Sequence, residues 1–151
     1  MKNTYVETIN ALERLHRLFL DVVRIELDRL KIQDISNVQT IIIFNIGNQE
    51  LTVGEITNRG IYLGSNVSYN LKKMVKNGYI VQVPSNHDKR SSHIKLSSKG
   101  NDLYKKINTI LNNHVDYFHK NGFGDDKIES LNKTLKNLEE FWERFFINKG
   151  Y

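Results

Sequence analysis

A chain of 151 residues, 39% hydrophobic and 26% charged with a single proline, has the makeup of one mainly helical domain and not of a disordered or collagen-like segment. The absence of cysteine excludes disulfides, thiolate metal sites and a cysteine redox switch. The net charge of +5 is concentrated in the middle: residues 36–100 carry eight basic side chains against three acidic ones, while the flanks together are neutral, as expected if the middle faces phosphates and the ends face protein. The polar opening (Lys2, Asn3, Thr4, Glu7) is unlike a secretion signal, and apolar runs such as Ile41–Phe44 are too short to cross a bilayer. A cytoplasmic protein with no membrane partner is expected.

From Tyr5 to Leu30, apolar residues recur at Val6, Ile9, Leu12, Leu15, Leu18, Phe19, Val22, Leu27 and Leu30, which predicts a helix of about seven turns. A small domain cannot cover such a helix along its whole length, so part of its stripe is expected to meet another subunit. Ser36 with Gln39 has the spacing of a capping box, and Val38–Ile46 then reads as a buried helix closed by Gly47. The β-branched run suits a strand as well; the cap at one end and the glycine at the other favour the helix.

Thr52-Val53-Gly54-Glu55 repeats the capping signature and starts a short helix that stops near Gly60; Ser65 caps a longer one reaching Asn77–Gly78. Two short helices around a glycine-bounded turn form a helix-turn-helix. Tyr79–Val83 reads as a strand, Pro84–Ser91 as a turn and His93–Leu96 as a returning strand, together a β-wing. Ser97 opens a helix running to about Lys120, residues 121–125 break it, and a last helix spans Asp126–Ile147. The fold class is therefore mainly α with a small β-wing, a winged helix-turn-helix in the order α-α-α-α-β-wing-β-α-α.

Successive residues about 100° apart place Val67, Leu71, Met74 and Val75 on the inner face of the helix after Ser65. Ser65, Asn66, Tyr69, Lys72, Lys73 and Lys76 face outward, with Ser68 on the border. A major groove accepts one helix whose hydroxyl and amide groups reach base edges while lysines meet the backbone. Asn66, Ser68 and Tyr69 are thus expected to read bases, and Ser65, Lys72, Lys73 and Lys76 to contact phosphates. A solvated exposed helix is the plainer reading of any one lysine; the cluster, with a large aromatic among it, favours double-stranded DNA. At the wing tip Arg90 is the candidate for the minor groove and Lys89 and His87 for phosphates, while Asp88 supports the wing by holding Arg90 or the loop backbone.

The run Asp88-Lys89-Arg90-Ser91-Ser92-His93-Ile94-Lys95-Leu96-Ser97-Ser98-Lys99-Gly100 resembles the wing signature of the MarR family of bacterial regulators: Asp-x-Arg, a strand ending Leu-Ser/Thr, then x-x-Gly. Residues 59–75 are similar to a subgroup that includes regulators of L,D-transpeptidase genes, although many family members carry arginine where Tyr69 stands. The resemblance implies a homodimer whose winged lobes, residues 36–100, read an inverted repeat, with residues 1–35 and 101–151 of the same chain as a shared helical platform. It also implies a pocket between platform and lobe for a small-molecule effector, aromatic acids among the candidates. His16, Arg17, Phe19 and Tyr104 are the expected lining, and core or interface packing is the plainer reading of all four. Genes of cell-wall remodelling or stress are the implied targets.

No cofactor is expected, and no enzyme, since the sequence has no glycine-rich phosphate loop and no nucleophile beside a base. His114, Asp116 and His119 do not share one helical face, so no metal site is expected there. The alternative is a protein-interaction adaptor docking through Phe141, Trp142, Phe145 and Phe146, without specific DNA binding.

Overall fold

The computed structural model describes residues 1–59, 64–84 and 92–148. The chain divides into two compact units, Met1–Asn108 and Thr109–Tyr151.

The first unit begins with α1 (Lys2–Arg29), whose one buried residue is Leu27; Leu15, Leu18 and Ile25 on the same helix are exposed. Lys31, at φ 57°, turns the chain out of the helix, and the Ile32 N–H reaches back to the Leu27 carbonyl. This closure is one that glycine more often supplies. The connector that follows leads to α2 (Asn37–Ile46), where the Ser36 hydroxyl accepts from the Gln39 N–H and the Gln39 side chain accepts from the Ser36 N–H. The capping box thus fixes a helix where β-branched residues alone leave the choice open. Gly47 ends it at φ 53°, a left-handed conformation that a side chain rarely tolerates. Ile42, Ile43 and Ile46 are buried, and full burial of each such side chain is worth about 1.5–3 kcal/mol.

Next comes a two-residue strand, β1 (Leu51–Thr52), absent from the sequence reading because two residues display no alternation. Its Thr52 also opens α3 (Val53–Arg59): the Glu55 carboxylate accepts from the Thr52 N–H and the Thr52 hydroxyl accepts from the Glu55 N–H. The second helix of the pair, α4 (Gly64–Lys76), begins one residue ahead of Ser65, which therefore sits inside the first turn and not at the cap. Of its expected inner face, Val67, Leu71 and Met74 are buried, but Val75 is 39% exposed. Residues spaced i, i+4 and i+7 already close the contact, and Val75 lies about 40° beyond its Leu71 edge.

The hairpin β2 (Ile80–Pro84) and β3 (Ser92–Leu96) is antiparallel, from Ile80 opposite Leu96 to Pro84 opposite Ser92. Leu51 pairs with Ile94, so β3 is central in the order β1-β3-β2. Then α5 (Ser98–Lys120) starts with the Ser97 hydroxyl accepting from the Gly100 N–H. The core of this unit gathers Leu27, Ile43, Ile56, Met74, Ile94 and Leu103 from α1, α2, α3, α4, β3 and α5. The architecture is mainly helical with a small antiparallel sheet, a helix-turn-helix followed by a wing hairpin, as expected.

The second unit contains the end of α5 and α6 (Asp125–Trp142), which continues into a π-helical turn at Glu143–Ile147 in place of the uninterrupted α-helix expected to Ile147. Phe145 and Phe146 both pack on Phe141, at ring-centroid distances of 5.2 and 5.6 Å. None of its described residues is buried. Among the described residues no helix is long and apolar enough to cross a membrane.

Candidate nucleic-acid interface

The face of α4 opposite the core is built from polar and basic side chains. Asn66, Ser68, Tyr69, Lys72, Lys73 and Lys76 are all exposed, while Val67 and Met74 anchor the helix from behind with no exposed surface. Tyr69 is 66% exposed, unusual for so large a ring and open to a partner. Ser65 lies in the first turn of the same helix. Lys73 and Lys76 occupy its last turn, where positive charge complements the helix dipole. Such a surface offers amide, hydroxyl and phenol groups of the kind that reach base edges, beside ammonium groups of the kind that meet phosphates.

Behind the wing, β2 and β3 form a five-pair ladder. Its tip residues His87, Asp88, Lys89 and Arg90 lie outside the described residues. Next to the ladder, Lys95 on β3 forms an ion pair with Glu50 at 3.4 Å.

Several polar groups that hold α4 have no counterpart in the sequence reading. Gln39, 2% exposed, donates from Nε2 to Asn70 Oδ1 at 3.0 Å, and Asn70 donates to the Asn66 carbonyl at 2.8 Å. Just past the end of α4, Asn77 donates to the Asp34 carbonyl at 2.6 Å. The Asp34 carboxylate accepts from the Tyr79 hydroxyl and from Lys99, whose ammonium also lies 4.2 Å from the centre of the Tyr79 ring. The hydrogen bond from Lys99, followed by that from Tyr79, holds the Asp34 carboxyl below its ordinary value. Burial first, and Asp34 second, push the Tyr79 phenol up. The Glu55 carboxyl is likewise lowered, first by the Thr52 N–H. A signal for part of this was present: Asn70 and Asn77 are seven residues apart, two turns along one helical face.

The four expected effector residues fall in the first unit. His16 is half-buried, Arg17 and Phe19 are exposed on α1, and Tyr104 is half-buried on α5. Tyr104 packs on α2, its ring 6.1 Å from that of Phe44 and its hydroxyl beside Gly47. A separate open cleft of about 680 Å³ is lined by Lys31, Asp34, Tyr79, Lys99, Asp102 and Lys106 among others, a mixture of both charges. In the second unit, His119 pairs with Asp125 at 2.9 Å. Among the described residues no group of three His, Cys, Asp or Glu is placed to hold a metal ion.

Residues 33–91 match the model of the MarR family. The chain is 36% identical over 139 residues to the exopolysaccharide II synthesis transcriptional activator ExpG of Rhizobium meliloti, covering 92% of this chain and 72% of that protein. Among solved structures it resembles Streptococcus pneumoniae FabT in complex with DNA, with a TM-score of 0.73 at 23% identity, over 93% of this chain and 98% of the other. Staphylococcus aureus MarR in complex with salicylate and kanamycin has the same fold, with a TM-score of 0.73 at 21% identity and 94% of each chain covered.

Proposed function

Because the chain belongs to the MarR family, we propose that it is a DNA-binding transcriptional regulator that grips an inverted-repeat operator as a homodimer. The observation that carries this reading is α4 itself, buried on one face by Val67, Leu71 and Met74 and presenting Asn66, Tyr69, Lys72, Lys73 and Lys76 on the other. FabT, of similar fold, is described in complex with DNA. In this reading Asn66, Ser68 and Tyr69 meet base edges, Ser65 and the three lysines meet phosphates, and the wing residues His87, Lys89 and Arg90 extend the contact, with Asp88 supporting the loop.

Two recognition helices related by a twofold axis enter successive major grooves only when their separation is about 34–36 Å. A ligand that prefers a dimer with another spacing weakens DNA binding by its differential affinity, commonly about 1–3 kcal/mol. Salicylate in the S. aureus relative supports a small aromatic acid as effector, and we place its pocket near His16, Arg17, Phe19 and Tyr104. The regulated genes are those of the cell envelope: the Rhizobium relative is named for exopolysaccharide synthesis, and residues 59–75 resemble regulators of L,D-transpeptidase genes.

The test is a gel shift on a duplex selected by the protein from a random-sequence library, against unselected duplex, at several salt concentrations. Regulation by DNA binding requires preference for the selected duplex and a salt slope of about −0.9 per phosphate neutralised. Arg90→Ala should then weaken binding with the dimer mass unchanged. An adaptor using the exposed Phe141, Phe145 and Phe146 would show neither preference nor steep slope; a homodimer interface accounts for those rings without a second protein.

A further inference from the structure

We propose that the connector leaving α1 and running into the first turn of α2, residues 34–39, sets the angle at which α4 is presented to DNA, with Gln39, Asn70 and Asn77 as the positioning residues; the inference rests on the DNA-binding reading above. The connector touches α4 at two places two turns apart. At one, Gln39 Nε2 donates to Asn70 Oδ1, and at the other Asn77 Nδ2 donates to the Asp34 carbonyl. The same short segment is tied to α1, where Asn37 Nδ2 donates to the Leu20 carbonyl at 3.3 Å. It is tied to the base of the hairpin and the start of α5 through the bonds from Tyr79 and Lys99 to Asp34.

Why such bonds are needed follows from the packing. The apolar contact of Val67, Leu71 and Met74 is strong but non-directional, and it tolerates a small roll of the helix about its axis. On a helix about 10–12 Å across, a roll of about 10° carries a side-chain tip about 1 Å sideways, enough to lose a base-edge hydrogen bond. Hydrogen bonds are directional, and a pair of them two turns apart fixes both roll and tilt. Gln39 is especially suited to this, because its amide is spent at both ends: Oε1 caps α2 through the Ser36 N–H and Nε2 holds Asn70. It is also 2% exposed, so water is no ready substitute for a lost partner. Asn70, in turn, sits one residue from Tyr69 and bonds the carbonyl of Asn66, two of the three proposed base-reading residues. Because Asn37 grips α1, a shift of that helix passes through the connector to the reading surface.

The experiment compares wild type with the apolar pair Gln39→Leu and Asn70→Leu made together, with Asn77→Ala, and with Asn70→Asp. The leucine pair removes the Gln39–Asn70 bond together with the Gln39 cap on the Ser36 N–H and the Asn70 bond to the Asn66 carbonyl, whereas aspartate keeps an acceptor for Gln39 and gives up only the last of these. The readout is the ratio of affinities for the library-selected duplex and for unselected duplex, with the thermal midpoint recorded alongside. The leucine pair should lower that ratio about tenfold, the discrimination carried by one base contact. Binding to unselected duplex should stay as it was, since flexible lysines meet phosphates without fixed register. Asn70→Asp should weaken both duplexes alike through its charge and keep the ratio. Asn77→Ala, at a half-buried site just past the end of α4, should lower the ratio about fivefold. A wild-type ratio in both the leucine pair and Asn77→Ala, whatever happens to the melting temperature, overturns the positioning role and leaves DNA binding intact. Wild-type protein with no preference for any duplex overturns both.

Discussion

In the unit that ends at Asn108, Ile42, Ile43, Val67, Met74 and Ile94 are wholly enclosed, whereas in the unit that begins at Thr109, Val115, Phe118, Leu131, Phe141 and Phe146 are all exposed. The two have similar apolar chemistry in sequence, and periodicity alone assigns both to a core. They differ in what lies opposite: the first unit gathers its apolar residues from five helices and a sheet into one core, while the second has helices only, with none of its described residues buried. Exposed aromatic rings that cluster, as Phe141, Phe145 and Phe146 do, are the kind of surface that a partner covers. If the proposed second copy covers these rings, the first unit is stabilised mainly by its own core and the second by association.

The largest effect that sharpens this contrast is expected at Ile42, with no exposed surface. Ile42→Ala should cost about 2–5 kcal/mol in urea unfolding, through lost burial and the cavity left behind. By contrast, Phe141→Glu should leave the first unit folded and convert the dimer to a monomer in sedimentation equilibrium. Operator affinity should then fall at least about a hundredfold, because the two lobes no longer bind as one. A Phe141→Glu protein that stays dimeric breaks the contrast. Smaller again is Gly100→Ala: an added Cβ would lie 2.1 Å from the Tyr79 carbonyl oxygen, which is already held by the Ser97 N–H. The backbone must shift, at a cost of about 1–3 kcal/mol, read as a lowered thermal midpoint.

What was legible in the sequence is what local physics decides. Ser36 with Gln39 and Thr52 with Glu55 name two helix starts because the partners are three residues apart, and the observed bonds follow that spacing. The polar face of α4 was legible for the same reason, one helix being enough to define it, and among its described side chains only Val75 lies on the other side from that expected. The two residues of β1 gave no pattern, since their pairing with Ile94 and His93 is decided across more than forty positions. The Asp34 cluster was hidden for the same cause: Lys99 stands 65 residues away in the chain, and nothing local links them. The turn into a π-helix at Glu143 likewise carries no signal in an otherwise regular apolar repeat.

The smallest expected effect tests whether that long-range cluster belongs with the self-sufficient unit. Lys99 and Tyr79 hold the Asp34 carboxyl below its ordinary value, so the folded protein keeps this group ionised at a pH where the unfolded chain has begun to protonate it. Its stabilisation is therefore fully present above the ordinary carboxylate value of about 4, and is lost as the pH falls through the lower folded value. Both partners of the Lys99–Asp34 pair are about half exposed, which screens the interaction to within about 1 kcal/mol. Asp34→Asn should lower the thermal midpoint at pH 7, and the gap from wild type should narrow between pH 4 and pH 2. Added salt should narrow it at pH 7 as well. A gap that stays constant with pH would mean that the carboxylate charge contributes nothing to it.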